Sequence, residues 1–181
     1  MMHVALLRGV NVGGNQLPMK DLREIFEDAG CREVSTFIQS GNVVFRPPPR
    51  GTAALPAIVS KSIAQRFGYS IPVIMRSAVE VARVVKSNPF SKLAKEERTL
   101  HVYFLGDFPS RAAVASLDPG RSAPDRFRVV GREVFLQLSN GMARTKLSNA
   151  YFDSKLATVS TARNWRTVQR IAAIANPNVE T

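Results

Sequence analysis

A chain of 181 residues with 45% hydrophobic content holds enough apolar side chains for a packed core, and its 11 Gly and 11 Pro are ordinary usage that argues against disorder. Its one cysteine, Cys31, excludes an intrachain disulfide framework and any multi-cysteine metal site. The net charge of +11 is shared almost evenly, +5 over residues 1–90 and +6 over residues 91–181. It therefore belongs to the folded body, not to a basic tail, and it favours encounter with polyanions.

The N-terminal apolar run Val4–Leu7 is broken by Arg8, too short for a signal peptide, and no stretch approaches the ~20 apolar residues of a membrane span. The expectation is a cytoplasmic chain with no membrane partner. Val4–Arg8 reads as a short buried strand, followed by a Gly-rich loop at Asn11–Gln16. Met19, Leu22, Ile25, Phe26 and Ala29 then recur at helical spacing between Pro18 and Gly30, with Asp21 and Glu24 favouring the positive end of the helix dipole. Val34–Gln39 and Asn42–Arg46 are β-rich runs joined by a tight hairpin turn. Leu55, Ile58, Val59, Ile63 and Phe67 form a second amphipathic helix stopped by Gly68, and Ile71–Arg76 closes the unit as a strand. Pro72 inside that strand places it at a sheet edge, where a missing donor is tolerated.

Ser77 and Glu80 make a capping box for a connecting helix through Val81, Val84 and Val85, which Asn88–Pro89 stops. After a charged segment, Ser91–Arg98, the pattern returns. Leu100–Leu105 is a strand, Ser110–Leu117 a short helix, and Phe127–Val130 with Glu133–Leu138 a hairpin around Gly131. A helix within Lys146–Leu156, a short strand at Ala157–Ser160 and a terminal helix at Asn164–Ala175 complete it. The fold class is α+β, an α/β sandwich of tandem ferredoxin-like βαββαβ repeats with a C-terminal helix. Its expected divisions are 1–76 (repeat one), 77–99 (helical connector) and 100–181 (repeat two with the terminal helix). The central strands are apolar on both faces, so the face away from the helices must also be covered. Open sheet edges leave dimerisation as an option.

Three stretches carry a family resemblance: Leu6-Leu7-Arg8-Gly9-Val10-Asn11-Val12-Gly13-Gly14, then Phe37–Phe45 around Ile38-Gln39-Ser40-Gly41-Asn42, and Thr161-Ala162-Arg163-Asn164-Trp165-Arg166-Thr167. With them the whole chain resembles the domain-of-unknown-function family numbered 1697. The resemblance implies a bacterial α/β protein of tandem ferredoxin-like folds. It brings no activity, cofactor or catalytic residue.

Arg8–Gly14 can be read in two ways. Glycines permit the positive φ of a compact turn between strand and helix, which is sufficient by itself. Alternatively, Arg8 supplies charge, Asn11 a directional amide, and Gly13 and Gly14 backbone donors to an anion. The segment lacks the Gly-Lys-Ser/Thr ending of a P-loop and the spacing of a dinucleotide fingerprint. Gln39, Ser40 and Asn42 are first of all hairpin residues and secondarily site candidates; their turn is expected near the start of strand one, away from Arg8–Gly14. Arg163, Asn164 and an exposed Thr167 form the third candidate, a helix start beside an arginine, with Trp165 as core and Arg163 pairing internally as the competing reading.

No catalytic or metal-binding constellation is visible: His3 and His101 stand alone at strand starts, and Cys31 reads as a spectator thiol. Tyr103, Phe104 and Phe135 could stack on RNA bases from an exposed sheet, but burial explains them better. The leading expectation is a small cytoplasmic binding protein for an anionic, phosphate-bearing or nucleotide-like ligand, with no metal and no cofactor. One alternative is a nucleic-acid-binding protein using distributed Lys/Arg contacts. The other is an enzyme acting on a phosphorylated or nucleotide-like substrate.

Overall fold

Residues 1–177 are described by a computed structural model, and they divide into two units, one of Met1–Arg83 with the chain from Arg170 onward and one of Val84–Gln169. In the first unit, β1 (His3–Leu7), α1 (Met19–Asp28), β2 (Arg32–Phe37), β3 (Asn42–Arg46), α2 (Leu55–Phe67) and β4 (Val73–Ser77) follow the expected βαββαβ order. The sheet is antiparallel in the order β2-β3-β1-β4. Leu22, Ile25 and Phe26 of α1 and Leu55, Val59 and Ile63 of α2 pack with Ala5, Leu7, Val43 and Phe45 from one face of the sheet. Gly68 ends α2 in the left-handed conformation that glycine adopts without Cβ strain. Pro72 lies just before the edge strand β4, and its carbonyl accepts the Arg8 amide at 3.1 Å.

The capping box at the start of α3 (Ala78–Ser87) forms as expected. The Ser77 amide donates to Glu80 Oε2 at 2.7 Å and the Glu80 amide to Ser77 Oγ at 3.2 Å.

The second unit repeats the plan with β5 (Leu100–Leu105), α4 (Arg111–Ala115), β6 (Arg126–Val130), β7 (Glu133–Gln137), α5 (Asn149–Leu156) and β8 (Ser160–Asn164), in sheet order β6-β7-β5-β8. One strand is displaced from its expected place. The chain leaves α5 at Ala157 in a left-handed conformation (φ 52°), so the strand expected at Ala157–Ser160 begins only at Ser160 and pairs with β5 through Asn164. Arg163 is consequently a strand residue. The terminal helix α6 starts at Trp165 and runs to Ala175.

The register exposes an internal repeat. Val4 faces Arg76 across β1 and β4, and Val102 faces Arg163 across β5 and β8; Arg76 and Arg163 each stand fourth in a five-residue edge strand followed at once by a helix. Both arginines are buried on the sheet face away from α1, α2 and α5, alongside Val4, Leu6 and Ile74 in one unit and Val102, Phe104 and Phe135 in the other. That face is covered in both units, as its apolar character requires. Tyr103, Phe104 and Phe135 are all core and present no stacking platform.

Candidate functional site

The loop after β1 is built by its own polar groups. Asn11 sits at φ 56°; its Nδ2 donates to Leu17 O at 3.1 Å and to Gln39 O at 2.7 Å, while its Oδ1 accepts from the Leu17 amide at 2.9 Å. The side chain ties three backbone groups together. Asn11 also joins the loop to the β2–β3 turn, which corrects the expected separation of the two motifs. Because β1 and β3 are antiparallel, the start of β3 meets the end of β1, with Leu6 opposite Asn42 and the Leu7 amide donating to Gly41 O at 2.8 Å. Gly41 is required there: at φ 71°, an added Cβ would come within 2.8 Å of the Leu7 Cβ. Asn42 is fully buried, its Nδ2 donating to Phe37 O at 3.0 Å and Ser40 Oγ at 2.9 Å.

Gly13 and Gly14 take positive φ, 63° and 98°, with nothing within 4 Å of an added Cβ. Their positive φ by itself asks for glycine here. They lie well ahead of α1, which starts at Met19 behind Pro18, so the helix dipole does not bear on them.

Arg163 is buried, donating through Nη1 to Thr161 Oγ1 at 2.8 Å and Ala162 O at 2.7 Å, and desolvation pulls its pKa down to about 10. Asn164 caps α6, its Oδ1 accepting the Thr167 amide at 2.8 Å. Thr167, expected exposed, is only 6% exposed, because it lies in the first turn of α6 beside the buried Trp165 and Val168. The Cys31 thiol is buried and raised to about 11 by desolvation, so it carries no thiolate near neutrality.

The second unit holds a feature that no motif signalled. A cavity of about 690 Å³ opens near the start of β5, lined by Lys95, Arg98, Arg126, Glu96 and the polar Gln137, Ser139 and Asn140, with Leu93, Pro124 and Leu138 as apolar wall. Lys95, Arg98 and Arg126 are exposed. One wall is braced from behind: buried Asp125 accepts the Ser139 amide at 2.8 Å through Oδ1 and Ser122 Oγ at 2.9 Å through Oδ2, and Ser122 Oγ accepts the Lys146 amide at 3.0 Å. Tyr103 Oη, donating to Leu147 O at 3.0 Å, fixes the same loop to the core. The cations are scattered over Lys95–Arg98 and β6, which is why spacing in the sequence gives no sign of them. Among the described residues no three His, Cys, Asp or Glu side chains gather as a metal site would require.

The model of the family described as protein of unknown function (DUF1697) matches residues 1–135. The chain belongs to this family. No curated protein matches it. Among solved structures, the conserved bacterial protein SP0830 from Streptococcus pneumoniae is similar, with a TM-score of 0.69 and 21% identity over 97% of this chain and 98% of that one. At that identity the likeness shows the fold alone. No helix among the described residues is long and apolar enough to cross a membrane.

Proposed function

We propose that the protein is a cytoplasmic binding protein for a phosphate-bearing ligand of nucleotide size, held in the cavity near the start of β5. The observation that carries this reading is the cavity itself, about 690 Å³ with three cationic side chains and one carboxylate in its lining. The volume falls within the range of small-molecule sites, roughly 300–1,000 Å³. Glu96 pairs with Arg98, but both are exposed, and a solvated pair of this kind is worth only about 0–1 kcal/mol. A phosphate can take Arg98 from Glu96 with little loss and gain charge-assisted hydrogen bonds. The braced Ser139 wall supplies hydroxyl and amide groups in place before binding, which lowers the ordering cost. The single buried thiol suits a reducing compartment.

A thermal-shift series with mononucleotides and phosphorylated sugars tests this. A ligand at 100 times its Kd stabilises the fold by about 2.7 kcal/mol, and Lys95→Ala with Arg126→Ala should remove the shift. A shift that these substitutions leave intact, or none with any phosphate-bearing compound, refutes the reading.

A second reading is favoured by β6, where Arg126 and Arg128 are exposed on one side of an edge strand in a unit with 14 Lys and Arg against 7 Asp and Glu. Distributed contacts to nucleic acid would show affinity falling steeply with salt, by about 0.7–0.9 log units per log unit of salt for each phosphate contacted.

A further inference from the structure

A second recess adjoins the cavity and shares a wall with it. This groove of about 360 Å³ is lined by Glu97, Arg98, His101, Asn164, Trp165 and Arg166. Arg98 lines both recesses. Resting on the reading of the larger cavity as an anion site, we infer that the ligand carries two phosphate groups on one scaffold, one in each recess, with the Arg98 guanidinium between them.

Charge supports this division. The larger recess has Lys95, Arg98 and Arg126 against Glu96, and the smaller has Arg98 and Arg166 against Glu97. Glu97 is engaged by the Gln169 amide, whose Nε2 donates to Oε1 at 2.9 Å. With Arg98 counted once, Lys95, Arg98, Arg126 and Arg166 against Glu96 and Glu97 leave the two recesses together with a cationic excess around a shared guanidinium, whose planar fork can serve two acceptors at once. The smaller recess also offers a directed neutral donor. Asn164 Oδ1 is occupied by the Thr167 amide, and its Nδ2 makes no hydrogen bond among the described residues. No Phe or Tyr lines either recess, Trp165 is buried, and His101 is the half-buried ring of the smaller one, so recognition is assigned first to the phosphates and to polar groups on the scaffold. The chemical class is a nucleoside bisphosphate or the equivalent two-phosphate step of a short strand, which share this chemistry.

Isothermal titration of the full chain with adenosine monophosphate, adenosine 3′,5′-bisphosphate and a short 5′-phosphorylated RNA tests the inference. The bisphosphate should bind about 10-fold or more tighter than the monophosphate, the gain expected of an additional charge-assisted contact. Arg166→Ala should erase that advantage and leave monophosphate affinity within about twofold, while Arg126→Ala weakens both ligands. Arg166 is exposed, and an unchanged melting temperature of the variant establishes that its fold is intact. RNA that binds tighter still, with the same dependence on Arg166, supports the inference and identifies a strand as the source. RNA that binds no tighter supports it with a free bisphosphate as the source. Equal affinity for monophosphate and bisphosphate, or an advantage that survives Arg166→Ala, overturns the two-phosphate inference and leaves the larger cavity's reading standing. Binding of none of the three overturns both.

Discussion

The two units follow one strand plan and use their polar residues in opposite ways. In the first, the Gly-rich loop after β1 closes on itself: Asn11 binds Leu17 and Gln39, and Asn42 binds Phe37 and Ser40. In the second, the loop after β5 is only a few residues long before α4, and the exposed cations gather at the opposite end of the sheet, where β5 starts. In the first unit the Asn11 and Asn42 side chains satisfy backbone groups that the turns leave unpaired. The cavity without a motif is the site we propose.

The largest effects should come from the cores. Phe45 packs against Phe26 in the first unit and Phe152 against Tyr103 in the second, with ring centroids 5.1 and 5.2 Å apart. Phe45→Ala and Phe152→Ala should each cost about 3–5 kcal/mol in urea unfolding, and a large loss from only one would break the equivalence of the units. Asn11→Ala removes the bridge across the first loop and should cost about 1–3 kcal/mol, because Leu17 and Gln39 lose a partner. That variant should bind phosphate compounds as the wild type does, whereas a loss of binding would return the site to the first unit.

The smallest effect concerns His101. Its pKa lies below the ordinary 6.5 because burial disfavours the imidazolium, with the Thr99 carbonyl opposing the shift. As pH falls through 6.5 the unfolded chain takes up this proton before the folded one, so stability is full above that value and declines below it. Between about pH 7.5 and about pH 5.5, the wild type should lose more melting temperature than His101→Gln. An equal loss would show that His101 does not contribute to the acid sensitivity.

Periodicity made the fold legible. The ends of α2 and the whole of β5 fall where apolar spacing and Gly68 place them, and the Ser77–Glu80 box forms as written. β8 begins later than apolar pattern suggests because Ala157 ends α5 in a left-handed conformation that no residue preference announces. For Arg163 the sequence leaves ligand contact and internal pairing open, and it suggests exposure for Thr167; the burial of both follows from strand and helix register. The nearness of Gln39 to Asn11 follows from antiparallel pairing of β1 with β3, which local pattern does not display. Lys95, Arg98 and Arg126 converge only once β5, β6 and β7 are paired.

The central claim is that the anion site lies in the second unit's cavity and not in the glycine loop of the first. Titration of adenosine monophosphate into wild type, Arg126→Ala and Arg8→Ala protein tests it most directly. The account predicts that Arg126→Ala weakens binding about 10-fold while Arg8→Ala stays within about twofold of wild type. Weakened binding in Arg8→Ala with Arg126→Ala unaffected would contradict it.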